Sequence, residues 1–186
     1  MTIDDITGLV DYGYWANARL IEVVTRLTPE QFTETVAGSY GSIRNTLVHV
    51  MSAEAGWLER CGGPKRGPQL RGEDYPTVAS LVEAWRTIEA NFRAFAAGLE
   101  ESDLIGVIDF SLGSFGSFSL RLGEMLQHVA NHGTHHRGQI ALLLRALGHA
   151  PGNVDMLFYF AAKGPGGPTD GRSASAGSRR RRPSRR

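Results

Sequence analysis

Residues 120–147 have the sequence LRLGEMLQHVANHGTHHRGQIALLLRAL, which contains four of the six histidines of the chain. At about 100° per residue, five apolar residues and one glycine of this segment fall within roughly 40° of a common direction. These positions are Leu122, Val129, Gly133, Ile140, Leu144 and Leu147. The periodicity predicts a long amphipathic helix whose apolar face points into a helical bundle, and Gly148 and Pro151 predict its end.

The histidines of this helix are candidate metal ligands. Imidazoles four residues apart lie on one helical face, one turn apart, which suits the binding of a single first-row metal ion. Two such pairs exist, His128 with His132 and His132 with His136. His136 lies about 40° from the apolar direction and His132 about 80°, whereas His128 and His135 lie about 120° or more away. The inward-facing pair is therefore predicted to be His132 and His136.

Helical periodicity also predicts the rest of the architecture. The predicted long helices are residues 7–27 with Thr7 as N-cap, about 42–60, 77–99 with Thr77 as N-cap, and about 120–147. Thr28-Pro29-Glu30-Gln31 has the pattern of a capping box and predicts a short helix. Residues 102–119 predict a weak hairpin or an extended loop, and residues 155–162 a short terminal helix. Four long helices without a convincing sheet predict an all-α four-helix bundle with a short extra C-terminal helix.

A third metal ligand has to come from another helix, because two imidazoles alone seldom hold a metal ion. His49 lies in the middle of the second long helix, beside Thr46, Ala53 and Gly56, whose small side chains leave space for an incoming helix or a pocket. Glu54 is the competing ligand, since it lies in the apolar stripe of that helix, where a carboxylate needs a cation or a hydrogen-bond donor. We favour His49 over Glu54.

Composition divides the chain into two parts. Residues 164–186 contain seven arginines and one acidic residue, with a net charge of +6, and are rich in Gly, Pro and Ser. Such a segment cannot bury enough apolar surface to offset its ordering entropy, so we predict a folded domain over residues 1–163 and a disordered tail over 164–186. The body carries 13 basic and 18 acidic residues, a net charge of −5. Nucleic-acid binding is therefore not expected of the body, and the arginine tail is interpreted as a solvated extension.

The environment of the protein follows from what the sequence lacks. No apolar run approaches the roughly 20 residues of a membrane span, and no leader-like stretch follows Met1. We therefore expect a cytoplasmic protein without membrane association. The single cysteine, Cys61, excludes an intramolecular disulfide and a cysteine-based zinc site. A metal site would have to consist of His, Asp and Glu side chains.

Several segments together closely resemble the DinB/YfiT-like family of metal-dependent four-helix proteins. They are HVANHGTHHRGQI (128–140), NTLVHV (45–50) with Trp57, YWANARL (14–20), and Leu147-Gly148 through Pro151 and Asp155. The resemblance covers about residues 5–162 and excludes the tail. It implies a bundle with partly crossed connections, in which His49, His132 and His136 hold a divalent metal ion with open positions for water. Zinc or nickel is the expected metal, and manganese or iron also suits such a site.

The resemblance also implies a class of function. Members of the wider family are thiol transferases or isomerases that use low-molecular-weight thiols such as bacillithiol or mycothiol. We therefore expect a small-molecule substrate such as a low-molecular-weight thiol. We also expect a homodimer. The alternative is a non-catalytic metal-binding protein of the stress response. Arg137 and Gln139 also match the family pattern. Two interpretations of Arg137 stay open: a functional role, or a structural ion pair with an acidic residue on a neighbouring helix. Trp57 is a candidate wall of a substrate pocket near Ala53 and Gly56.

Overall fold

The computed structural model describes residues 1–164, which form a helical bundle with one small hairpin. The elements are α1 (Ile3–Val24), α2 (Pro29–Thr33), α3 (Ile43–Arg60), α4 (Val78–Ala97), β1 (Val107–Ser111), β2 (Ser117–Arg121), α5 (Leu122–Ala146) and α6 (Met156–Lys163). The predicted all-α four-helix bundle with a short terminal helix is confirmed. Most of the tail for which we predicted disorder, residues 165–186, lies outside the described residues.

Side-chain caps explain where the helices begin. The Thr77 hydroxyl accepts a hydrogen bond from the first turn of α4, as predicted, and Thr28 caps α2 in the predicted capping box with Gln31. The Ser42 hydroxyl accepts a hydrogen bond from the first turn of α3. The prediction that Thr7 caps the first helix is wrong. Thr2 is the cap, because its hydroxyl accepts from the backbone N–H of Asp5 at 3.1 Å while the Asp5 carboxylate accepts from the backbone N–H of Thr2.

The four long helices pack with crossed connectivity. Both α1 and α3 pack mainly against α4 and α5, so these two consecutive long helices occupy diagonal corners of the bundle. The core between them is apolar, and its fully buried side chains include Leu20, Leu47, Met51, Leu81, Met125 and Leu144. The packing of α3 against α5 is the contact that brings the candidate ligands together.

A two-stranded antiparallel hairpin leads into α5. Val107 pairs with Arg121 and Phe110 with Phe118, and the partly buried residues Ile108, Phe110 and Leu120 pack against the core. Pairing of residues 120 and 121 in β2 explains why α5 begins at Leu122 rather than at the predicted position 120. Among residues 1–164, no helix is both long and apolar enough to cross a membrane.

Candidate metal centre

Three histidines meet where α3 packs against α5. His49 comes from α3, and His132 and His136 come from successive turns of α5. Nε2 of His132 lies 3.2 Å from Nε2 of His49 and 3.1 Å from Nε2 of His136, and one ligand atom of each residue lies within 4.8 Å of the other two. The structure therefore brings together the three side chains that the sequence singled out.

The arrangement fits a single small cation. Two imidazole nitrogens at about 2.0–2.1 Å from one zinc ion in tetrahedral geometry are about 3.3 Å apart, close to the observed spacing. Burial, together with the neighbouring histidines, lowers the pKa of both His49 and His132 to about 4. Imidazoles have to be neutral to bind a metal ion, so these rings are in the correct protonation state at neutral pH.

The remaining histidines of α5 lie beside this cluster but are not part of it. His128 and His135 are exposed, as their helical angles predicted, whereas His136 is buried and His132 partly buried. His128 packs edge-on against Trp57, with ring centroids 4.7 Å apart, and Trp57 in turn packs against Phe110. An aromatic row thus extends from the cluster towards the hairpin.

Two arginine side chains lie against Gly56, one of the two small residues near which we predicted a pocket. A side chain at Gly56 would meet Nη1 of Arg60 at 3.2 Å and Nη1 of Arg66 at 3.3 Å. The guanidinium of Arg60 also lies over the ring of Trp57, 5.3 Å from its centroid. Gly56 therefore leaves room for these arginines, and Trp57 is part of the aromatic row.

A tight turn over residues 38–41, just before α3, contacts the cluster from outside the two ligand helices. Tyr40 stacks on His49 with ring centroids 3.8 Å apart and an interplanar angle of 18°. The hydroxyl of Ser39 donates a hydrogen bond to Oε1 of Gln139 at 2.7 Å. Neither residue is predicted from the sequence. Two glycines around a Ser-Tyr pair within ten residues of His49 were the available signal, but they do not indicate which way the turn folds.

Glu54, the competing ligand, is engaged elsewhere in the bundle. Its buried carboxylate accepts hydrogen bonds from Nε1 of Trp85 at 2.6 Å and from the hydroxyl of Tyr14 at 3.2 Å. Burial raises the pKa of Glu54 to about 7, although these donors and the charge of Arg137 oppose the shift. The carboxylate has the donors that its position in the apolar stripe requires, and it is not part of the histidine cluster.

Arg137 directly follows His136 in the sequence. Its side chain is buried and points into the bundle, away from solvent. Its Nη1 donates to Oδ1 of Asn17 at 3.2 Å and its Nη2 to the hydroxyl of Thr134 at 2.8 Å. The guanidinium also lies over the ring of Tyr12. Of the two interpretations of Arg137, the structural one agrees with these contacts, with an amide rather than an acid as its direct partner.

Comparisons with known proteins agree with this description. The sequence model of the DinB family matches residues 3–170. Protein DinB of Bacillus subtilis (strain 168) is 26% identical over 163 residues, covering 83% of this chain and 94% of that protein. The crystal structure of a DinB-like protein from Bacillus cereus ATCC 10987 has the same fold, with a TM-score of 0.62 at 22% identity over 78% of this chain and 92% of that one. Because the family match spans most of its length, the chain belongs to the DinB family.

Proposed function

We propose that the chain binds one divalent metal ion through His49, His132 and His136 and uses it to transfer a low-molecular-weight thiol to an electrophile. The thiol loses its proton and its sulfur forms a C–S bond with the electrophilic carbon, while chloride leaves a chloroarene or the C–O bond of an epoxide opens and its oxygen takes up a proton. The position of His132 Nε2, 3.1–3.2 Å from Nε2 of both His49 and His136, with ligand atoms of all three residues within 4.8 Å of one another, carries the metal-binding part of this proposal. Neutral nitrogen ligands without a thiolate favour zinc or nickel, and manganese or iron also suits them.

Three protein ligands would leave a coordination position open, which supports a catalytic role. The cluster of close ligand atoms in the described residues contains three histidines, and Glu54 is held away from it by Trp85 and Tyr14. Catalytic zinc sites have three protein ligands and one exchangeable position, whereas structural sites are closed by four. A divalent ion in such a site lowers the pKa of a coordinated thiol or water and holds the reacting atom in place.

The residues around the cluster would contact the rest of the substrate. Tyr40 covers one face of His49, and His128 and Trp57 form an aromatic row beside His132. Aromatic side chains of this kind bury apolar groups and stack on planar ones. We therefore propose that the electrophile presents an apolar or aromatic group next to its reacting carbon.

Metal analysis of the purified protein tests the ligand set. We expect about one divalent ion per chain, and loss of stoichiometric binding in His49→Ala, His132→Ala and His136→Ala. His128→Ala and His149→Ala are the matched controls and are expected to keep the ion, because these side chains lie outside the cluster. His135→Ala is also expected to keep it, since His135 is not one of the three ligands, although it contacts Gln139. Normal metal content in His49→Ala would show that the triad is wrong.

A panel of common bacterial thiols, assayed with apo and metal-loaded protein and an electrophile such as a chloroarene or an epoxide, tests the reaction. We expect acceleration only with the metal-loaded protein, and its loss in His136→Ala. If no thiol reacts faster than in buffer, and none changes the spectrum of a cobalt-substituted site, the transferase proposal is wrong. Retained metal with no reaction would favour the alternative, a non-catalytic metal-binding protein of the stress response, or metal-dependent hydrolysis.

We also propose a homodimer. Large apolar side chains are exposed around the hairpin and on α6, among them Ile105 (70% exposed), Phe115 (83%) and Leu157 (68%). Exposed apolar side chains that form a patch are characteristic of protein interfaces. Sedimentation should give a dimer at about tens of micromolar, and a monomer there would contradict the proposal.

A further inference from the structure

The two ring nitrogens of His136 have different neighbours. Nε2 lies 3.1 Å from Nε2 of His132, inside the cluster, and Nδ1 lies 2.6 Å from Oε1 of Gln139, outside it. An amide oxygen only accepts hydrogen bonds, so Nδ1 of His136 is the protonated nitrogen. The lone pair of the ring is then on Nε2 and faces the cluster, which is the tautomer that a metal ligand needs.

Gln139 is itself fixed by contacts at both ends of its amide group. Oε1 accepts a second hydrogen bond from the Ser39 hydroxyl at 2.7 Å, and Nε2 lies 3.1 Å from Nε2 of His135. Ser39 is in turn 3.0 Å from the hydroxyl of Thr46 on α3. An amide held in this way cannot rotate freely, so it imposes one orientation on the ring of His136.

The turn over residues 38–41 contributes to both ligand helices. Ser39 has a φ of 51°, in the left-handed region, and lies between Gly38 (φ 99°) and Gly41 (φ 82°). This backbone directs Ser39 to Gln139 on α5 and Tyr40 to the face of His49 on α3. A non-glycine residue in this region costs free energy, and such residues occur where the surrounding contacts fix them.

We propose that Gln139 is the positioning residue of the metal centre, holding His136 in the Nδ1–H tautomer with Nε2 towards the ion, and that the 38–41 turn holds Gln139 through Ser39. This inference rests on the metal-binding part of the proposed function. Hydrogen-bond acceptors behind metal-ligating histidines fix the tautomer and the ring orientation, and their loss typically weakens metal affinity about 10–100-fold.

The test compares three variants of the full chain by zinc titration against a chromophoric competitor. Gln139→Met keeps the length of the side chain but removes the amide acceptor, and we expect zinc affinity to fall about 10–100-fold. Gln139→Glu keeps an acceptor oxygen, and its affinity should stay within a few-fold of wild type. Ser39→Ala should cause a smaller loss than Gln139→Met. Gln127→Met is the matched control, because Gln127 is exposed on the same helix and outside the cluster.

A second measurement does not depend on the metal. In the apo protein, two-bond ¹H–¹⁵N correlation spectra report which ring nitrogen of each histidine carries the proton, and the His136→Ala variant assigns the His136 signals. We expect the Nδ1–H tautomer of His136 in wild type and in Gln139→Glu, and a mixture of tautomers in Gln139→Met.

The two proposals fail in different ways. Wild-type zinc affinity in Gln139→Met, together with loss of zinc in His136→Ala, would overturn the role of Gln139 and leave the metal site intact. Equal losses in Gln139→Met and Gln139→Glu would also overturn it, because the acceptor oxygen would then be irrelevant. Zinc retained in His136→Ala would contradict the metal site itself, and the tautomer spectra would still decide whether Gln139 orients His136.

Discussion

Arg137 and Glu54 are joined by a single amide across the interior of the bundle. Nη1 of Arg137 donates to Oδ1 of Asn17 at 3.2 Å, and Nδ2 of Asn17 donates to Oε1 of Glu54 at 3.5 Å. Glu54 also accepts from Trp85, so this network contains a side chain from each of the four long helices. Partly satisfied buried networks are costly, so each member should matter for stability. Because Arg137 follows His136 directly, the network also fixes α5 next to the metal centre.

Asn17→Leu should destabilise the fold. Leucine has about the same size but neither donates nor accepts, so the buried Arg137 and Glu54 each lose a partner. Leaving a buried polar group unsatisfied costs about 1–3 kcal/mol, and urea denaturation should show a decrease of that size in the free energy of unfolding. Asn131→Leu, at an exposed position of α5, is the control and should change it by no more than about 0.5 kcal/mol. Equal effects of the two substitutions would show that the hydrogen bonds of Asn17 to Arg137 and Glu54 contribute nothing to stability.

The effect of Glu54→Gln should depend on pH. Burial raises the pKa of Glu54 from 4.5 to about 7, so the native state binds this proton more tightly than the unfolded state. The contribution of the group to stability is therefore fully present below about pH 4.5 and is lost as the pH rises through about 7. The difference in the free energy of unfolding between wild type and Glu54→Gln, which lacks this titration, should accordingly shrink between pH 5 and pH 8.

The difference in the free energy of unfolding between wild type and Glu54→Gln isolates the effect of Glu54. His49 and His132 also have lowered pKa values, but they titrate in the same way in both proteins. A difference that grows with pH would mean that the ionised carboxylate is the form that Trp85 and Tyr14 stabilise. Metal content should be the same in both proteins, since Glu54 lies outside the histidine cluster. Loss of metal in Glu54→Gln would instead restore Glu54 as a ligand.

The helices and their faces could be predicted from the sequence, whereas contacts between distant segments could not. The angular positions of His132 and His136 on α5 follow from 3.6 residues per turn, and the structure places both towards α3. The contact between Ser39 and Gln139 spans 100 residues, and that between Asn17 and Arg137 spans 120. No local periodicity carries such information. The predicted start of α1 is wrong for a local reason, because Thr2 and Thr7 are both acceptable N-cap residues. The two reciprocal hydrogen bonds between Thr2 and Asp5 decide in favour of Thr2.

Two glycines of α5 should respond in opposite directions to the same substitution. A Cβ at Gly133 would lie 2.9 Å from Nη1 of Arg137, and Arg137 cannot move away without losing its bonds to Asn17 and Thr134. A Cβ at Gly138 would have no atom within 4 Å. Alanine favours a helix over glycine by about 0.5–1 kcal/mol, so Gly138→Ala should raise the free energy of unfolding by about that amount.

Gly133→Ala gains the same helix propensity but forces the buried guanidinium to shift, and overpacking of a core costs about 1–3 kcal/mol. Thermal or urea denaturation of the two variants should therefore give a net loss of stability for Gly133→Ala and a gain for Gly138→Ala. If Gly133→Ala were as stable as Gly138→Ala, Arg137 would not be fixed by its partners, and its network with Asn17 and Glu54 would not hold the four helices together.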